Sequence, residues 1–166
     1  ACGFDSSFVA GEDSELGIRL YLRGRRTLRI ASTMAHHAMD MDTFGQWWLR
    51  SVRAGQALAH RNAVHGRSEL ADSRSAVKST LVYGIIVPFL ILVGMLGLGL
   101  TGLIPLAAYA FLAWRFFKYY RRKGASCKAS MIGTIFGVLG KFANAVGLVR
   151  YHVQRARGRF LIVEYK

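Results

Sequence analysis

Three short stretches carry side chains that chemistry would use. The first is Gly11-Glu-Asp-Ser-Glu-Leu16, where adjacent carboxylates stand at the junction of a loop and a helix. Backbone N–H groups at a helix start hold a carboxylate ionised, the state in which it takes a proton from a hydroxyl. An Asp at such a junction serves equally well as the cap of the helix. The second stretch is His36-His37, in a loop from Ser32 to Asp40. A neutral imidazole binds a metal ion or donates to a phosphate. Adjacent histidines rarely serve one metal, so any such role belongs to one of the two, and solvated loop histidines are the structural alternative. The third stretch is Phe44-Gly-Gln-Trp-Trp-Leu-Arg50, in which Gln46 and Arg50 share a helix face at i and i+4. A guanidinium grips a diphosphate or a carboxylate bidentately, and an indole stacks on a sugar ring. The same residues suit an anchor at a membrane surface.

The elements that must position these groups follow from the apolar spacing. Asp13 or Ser14 is expected to cap a helix with Leu16, Ile18, Leu20 and Tyr21 toward its inner side, ending near Gly24. Thr27 to Ala31 alternates briefly, as a short strand does. Asp42 is expected to cap a longer helix through Phe44, Trp47, Trp48 and Val52 to about His65, with Arg50, Arg53 and Arg61 along it. Tryptophans beside arginines suit a helix lying on lipid headgroups. Residues 66–78 then form a polar connector.

From Ser79 to Trp114 the chain runs 36 residues without Asp, Glu, Lys, Arg or His. A hydrocarbon core of ~30 Å takes about 20 apolar residues per helix, so this run is too long for one span. As a single helix it would extend about 54 Å. Its centre, from Gly94 to Gly102, is rich in glycine, and Pro105 follows. A turn costs least there. Two short transmembrane helices are expected, at about 79–97 and 102–118, forming a hairpin. Arg67, Arg74 and Lys78 precede the run, and Arg115, Lys118, Arg121, Arg122 and Lys123 follow it. Short basic flanks stay on the cytoplasmic side, and both flanks agree.

Residues 131–149 are apolar apart from Lys141 and Asn144. As a third span they would bring Lys141 near the bilayer centre, at a cost of about 2.5–3.5 kcal/mol. They would also carry Arg150, Arg155, Arg157 and Arg159 to the outside. An interfacial or re-entrant helix avoids both penalties. Phe160 to Val163 reads as a further short strand.

The formal net charge is +14 with 52% hydrophobic residues, the balance of a chain held against an anionic leaflet. Much of that charge brackets the apolar run, which argues against nucleic acid as the partner. Cys2 and Cys127 have no metal-site spacing and form no framework, as in a reducing compartment. The opening Ala-Cys-Gly-Phe-Asp reads like the middle of a domain, so a fragment is expected.

Taken in order, Gly-Glu-Asp-x-Glu-Leu, Arg-Leu, Gly24, His37, Met41, Phe-Gly-Gln-Trp-Trp and Arg53-Ala-Gly resemble the second half of membrane-bound bacterial family 2 glycosyltransferases. The closing Arg150-Tyr-His and Glu164-Tyr-Lys are similar to the ending of an exopolysaccharide (succinoglycan-type) branch. The resemblance spans the whole chain and lies in the order of its blocks. It implies a mainly α membrane protein with a partial α/β GT-A-like catalytic segment, a two-helix transmembrane hairpin and an amphipathic C-terminal helix. The corresponding segments are 1–65 (acceptor-side catalytic part), 66–78 (connector), 79–118 (hairpin) and 119–166 (basic loop, interfacial helix and tail). It implies inverting transfer from a nucleotide-sugar to a glycan or lipid-linked acceptor at the cytoplasmic face of the inner membrane.

By position, Asp13 is then the general base, with Glu12 supporting it from the acceptor side. His37 falls near the donor diphosphate and a divalent metal (Mg or Mn), while Gln46, Trp47, Trp48 and Arg50 line the acceptor and diphosphate. Here the tryptophan pair precedes Arg50, which leaves both single addition and processive synthesis open. No Asp-x-Asp in the chain fills the family's metal role, because Asp40-Met-Asp42 follows the histidine loop. The donor-binding half is expected to precede Ala1. A non-catalytic membrane adaptor with basic interfacial helices is the alternative from another class.

Overall fold

The structure, a computed structural model, describes residues 3–5, 8, 11–28, 41–66 and 72–158. In chain order these form α1 (Glu12–Leu22), α2 (Phe44–His65), α3 (Asp72–Leu81), a π-helical turn (Val82–Ile86) and α4 (Val87–Leu98). A 3-10 helix (Gly99–Leu106), α5 (Ala107–Arg122) and α6 (Cys127–Ala156) complete them. Helices hold 84% of the described residues, and no strand occurs among them.

The expected α/β GT-A-like segment is therefore corrected to an all-helical arrangement. Of the expected strand at 27–31, Thr27 and Leu28 are irregular and the rest lies outside the described residues, as does Phe160–Val163. Among the described residues no strand is present for Thr27 and Leu28 to pair with, whereas the long apolar stretches close their own hydrogen bonds as helices.

Two caps also differ from expectation. Gly11, not Asp13 or Ser14, precedes α1, with φ at 77° and no side-chain cap. The left-handed backbone there favours glycine. At α2 the cap is Thr43 rather than Asp42. Its hydroxyl accepts from the Gln46 backbone N–H, and the Gln46 side-chain Oε1 accepts from the Thr43 N–H at 3.1 Å and the Asp42 N–H at 2.9 Å. This reciprocal pairing satisfies donors that the helix itself leaves open. Helix α3 begins at Asp72, within the expected connector of residues 66–78.

Packing is built on α2 and α6, which run in the same direction. Trp47 meets Phe136 edge-on at 4.9 Å, Gly147 meets Val52, and His60 stacks with Tyr151 at 5.4 Å. Gly55 lies against the Asn144 backbone, and Ala59 and Ala143 are buried nearby. Small residues at the seam let the two backbones approach.

The apolar run reverses at Gly99, whose φ is 60°. Beyond it, Gly102 lies against the backbone of Gly94, closing the two limbs tightly. Lower down, the Tyr109 hydroxyl donates to the Tyr83 carbonyl at 2.6 Å, inside the π turn. Pro88 has no N–H for the carbonyl of Gly84, which accounts for the loosened helical register there.

Both limbs reach α6 at the same place. Gly84 touches Lys141 and Ala145, and the Tyr109 ring stacks on Phe142 at 5.7 Å. From that point they part in opposite directions along α6. Leu81 and Val77 of α3 pack toward Leu148 and Tyr151, while Phe116 and Tyr120 of α5 pack on Gly137 and Gly133. Helix α6 thus passes across the foot of the hairpin. Two helical stretches, Ser73–Arg122 and Cys127–Ala156, are long and apolar enough to cross a membrane, and only 6% of the apolar window of the first is buried.

Candidate functional site

The first turn of α1 holds Glu12, Asp13 and Glu15. Glu12 and Asp13 are exposed, and the Asp13 carboxylate accepts from the Ser14 N–H at 2.7 Å. Negative charge is favoured at this end of the helix, where backbone N–H groups point outward. Glu15 differs. Its carboxylate is 2% exposed and held from two sides. The Nε of Arg19 donates to both oxygens, at 2.8 and 2.9 Å, and His65 of α2 donates from Nε2 at 3.0 Å. A second nitrogen of Arg19 donates to the Gly3 carbonyl at 2.8 Å. The turn that bears the exposed carboxylates is thereby fastened to α2 through a buried, hydrogen-bonded joint.

The same wall continues along α2. His60 lies between Phe8, stacked at 4.0 Å, and Tyr151 of α6. Burial pushes its pKa below the usual 6.5, with the charge of Arg155 acting in the same sense and Asp5 and Glu15 opposing.

Helix α1 runs parallel to α2, with Gly11 against Ala57 and Glu15 against His65. Its N-terminus therefore points toward the half of α2 that carries Arg50. Ala57 stands seven residues beyond Arg50 and eleven beyond Gln46, which is about 10 Å and about 16 Å along the helix. Gln46 and Arg50 thus stand on the same face of α2 as Ala57, below the point where α1 meets it, whereas Trp48 falls on the opposite face.

Each of the α2 residues has a local role. Gln46 is engaged in the cap of α2, and Trp47 is half-buried against Phe136. Trp48 is half-buried 6.1 Å from Phe44, and Arg50 is exposed with its guanidinium 3.9 Å from Met41 Sδ. His36 and His37 lie outside the described residues. Among the described residues no three His, Cys, Asp or Glu side chains converge to hold a metal ion.

Sequence reading missed the Glu15 joint. Its i,i+4 half, Glu15 with Arg19, was visible as spacing. His65 stands 50 residues away and had no local signal. Comparison with known protein families, characterised proteins and solved structures finds no match to the chain.

Proposed function

We propose that the chain is the acceptor-side and membrane-anchoring segment of an inverting glycosyltransferase, with Asp13 as general base. The observation that carries this reading is the contrast within one helical turn. Glu15 is buried and clamped to α2, whereas Asp13, two residues earlier, is exposed and free to meet a substrate hydroxyl. Because Glu15 fastens α1 to α2, and α2 rests on α6, the Asp13 carboxylate is held on a fixed helical frame. A hydroxyl of a glycan or lipid-linked acceptor would approach there. Asp13 takes its proton as the oxygen bonds to the anomeric carbon, and the nucleotide leaves from the opposite face of the sugar. The order of motifs from Gly11 to Arg50 supports the same reading.

Membrane residence is supported by the apolar hairpin, since the core helix of a water-soluble protein would be mostly covered. Arg74 and Lys78 on one limb and Arg115, Lys118 and Arg121 on the other support a foot on the cytoplasmic side.

The test is Asp13→Asn in the native protein, assayed in isolated membranes for sugar transfer from nucleotide-sugar donors. Transfer is expected to fall by about 10²–10⁴-fold, with membrane content unchanged. Undiminished transfer would remove Asp13 as the base, while no transfer from the parent protein, with function in cells that survives the substitution, would instead favour a non-catalytic membrane adaptor.

A further inference from the structure

We infer that the hairpin is re-entrant: it enters the bilayer from the foot, turns inside the hydrocarbon and leaves on the same side. The inference rests on the membrane reading above and concerns how deep the hairpin goes. Three observations carry it.

The first is length. The limbs separate from α6 at Gly84 and Tyr109, and the chain reverses at Gly99. From Gly84 to Leu98 is a rise of about 21 Å for fourteen residues. The hydrocarbon core is ~30 Å thick, so a hairpin standing on that foot stops short of the far headgroups.

The second is the tip. A turn that emerged on the far side would meet water and headgroups, and membrane interfaces favour Trp, Tyr and charged residues. Here the tip reads Leu96-Gly-Leu-Gly-Leu-Thr-Gly102. Leu96 is 82% exposed and Leu100 83% exposed, with no charged or aromatic side chain between them. The polar side chain in this turn, Thr101, donates its hydroxyl to the Leu98 carbonyl at 2.8 Å. That bond keeps the hydroxyl paired within the chain. Hydrocarbon demands such internal pairing, because no water is present to supply it.

The third is the foot. Tyr83 and Tyr109 meet there, and the Lys118 ammonium lies 4.4 Å from the Trp114 ring centre. Lys141 stands at the crossing, half-buried, with its ammonium 5.8 Å from the Phe116 ring. Aromatic rings and cations gathered at one level mark an interface. Cations at this level keep α6 at the headgroups, where α3 and α5 also spread from the hairpin.

The experiment uses the full native chain in sealed membrane vesicles of both orientations. Cys2→Ser and Cys127→Ser remove the native thiols, and one cysteine is returned at a time, as Leu100→Cys at the tip or Cys127 itself near the foot. The probe is a membrane-impermeant maleimide. A re-entrant hairpin leaves Leu100→Cys unlabelled from either side and labelled once detergent dissolves the bilayer, while Cys127 reacts from one side only. Labelling of Leu100→Cys from the side opposite Cys127 would overturn the inference and leave membrane residence standing, as a spanning hairpin. Labelling of both positions from the same side in intact vesicles would remove the membrane reading as well.

Discussion

At the scale of single residues, the decisive contact is the joint of Glu15, Arg19 and His65. A carboxylate withdrawn from water is tolerable only while its charge is matched, and here Arg19 supplies the match and His65 a further hydrogen bond. Arg19→Met leaves that carboxylate with the imidazole alone. Thermal unfolding of purified protein should show a loss on the order of 3 kcal/mol. Adding Glu15→Leu to it should recover much of the loss, because the stranded charge is then gone. A melting curve for Arg19→Met that overlays the parent would mean the joint is looser than its geometry. The Glu15–Arg19 half of this joint was legible in the sequence as an i,i+4 pair. Its importance was not, because burial comes from α2, whose His65 is supplied by a distant part of the chain.

At the scale of elements, the α2–α6 seam depends on where glycine is required and where it is incidental. A Cβ on Gly147 would run into the carbonyl of Val52, whereas one on Gly140 would reach only the rim of Trp47, at 4.0 Å. The two substitutions should therefore have opposite signs. Gly140→Ala gains helix propensity and should stabilise by about 0.5–1 kcal/mol. Gly147→Ala gains the same propensity but forces the backbones apart, and should cost about 1–3 kcal/mol net. Amide hydrogen exchange along α2 reports the seam directly: protection should fall in Gly147→Ala and hold in Gly140→Ala. Equal behaviour of the two variants would count against the parallel α2–α6 contact. The sequence made α2 and an apolar C-terminal helix visible as separate elements. Their pairing was not visible, since glycine at a contact and glycine on a surface look alike in one dimension.

For the whole molecule, the relevant quantity is its charge, +14 before any histidine titrates. Acid adds to that charge, and His60 ties the addition to stability. Its folded-state pKa lies below 6.5, chiefly through burial, so the fold favours the neutral ring. Its contribution is therefore complete above 6.5 and is lost as pH falls through the lower folded value. The unfolding temperature in detergent should drop between about pH 7 and about pH 5. His60→Phe, which keeps a ring between Phe8 and Tyr151, should flatten that part of the profile. An unchanged pH profile in His60→Phe would assign the acid sensitivity to other groups.

The sequence by itself determined the helical character of the long stretches, the apolar run, its reversal among the glycines and its basic flanks. Each follows from local composition: length without charge, glycine where the chain must turn, lysine and arginine where it leaves. Helix α1 and the extent of α2 to His65 were legible in the same way. Tertiary structure alone decided that no sheet forms among the described residues and that α6 crosses the foot of the hairpin. It also decided that Glu15 is buried while Asp13 is exposed. These are outcomes of packing between segments tens of residues apart. Spacing along the chain encodes which face of a helix is apolar, but not which other helix will cover it.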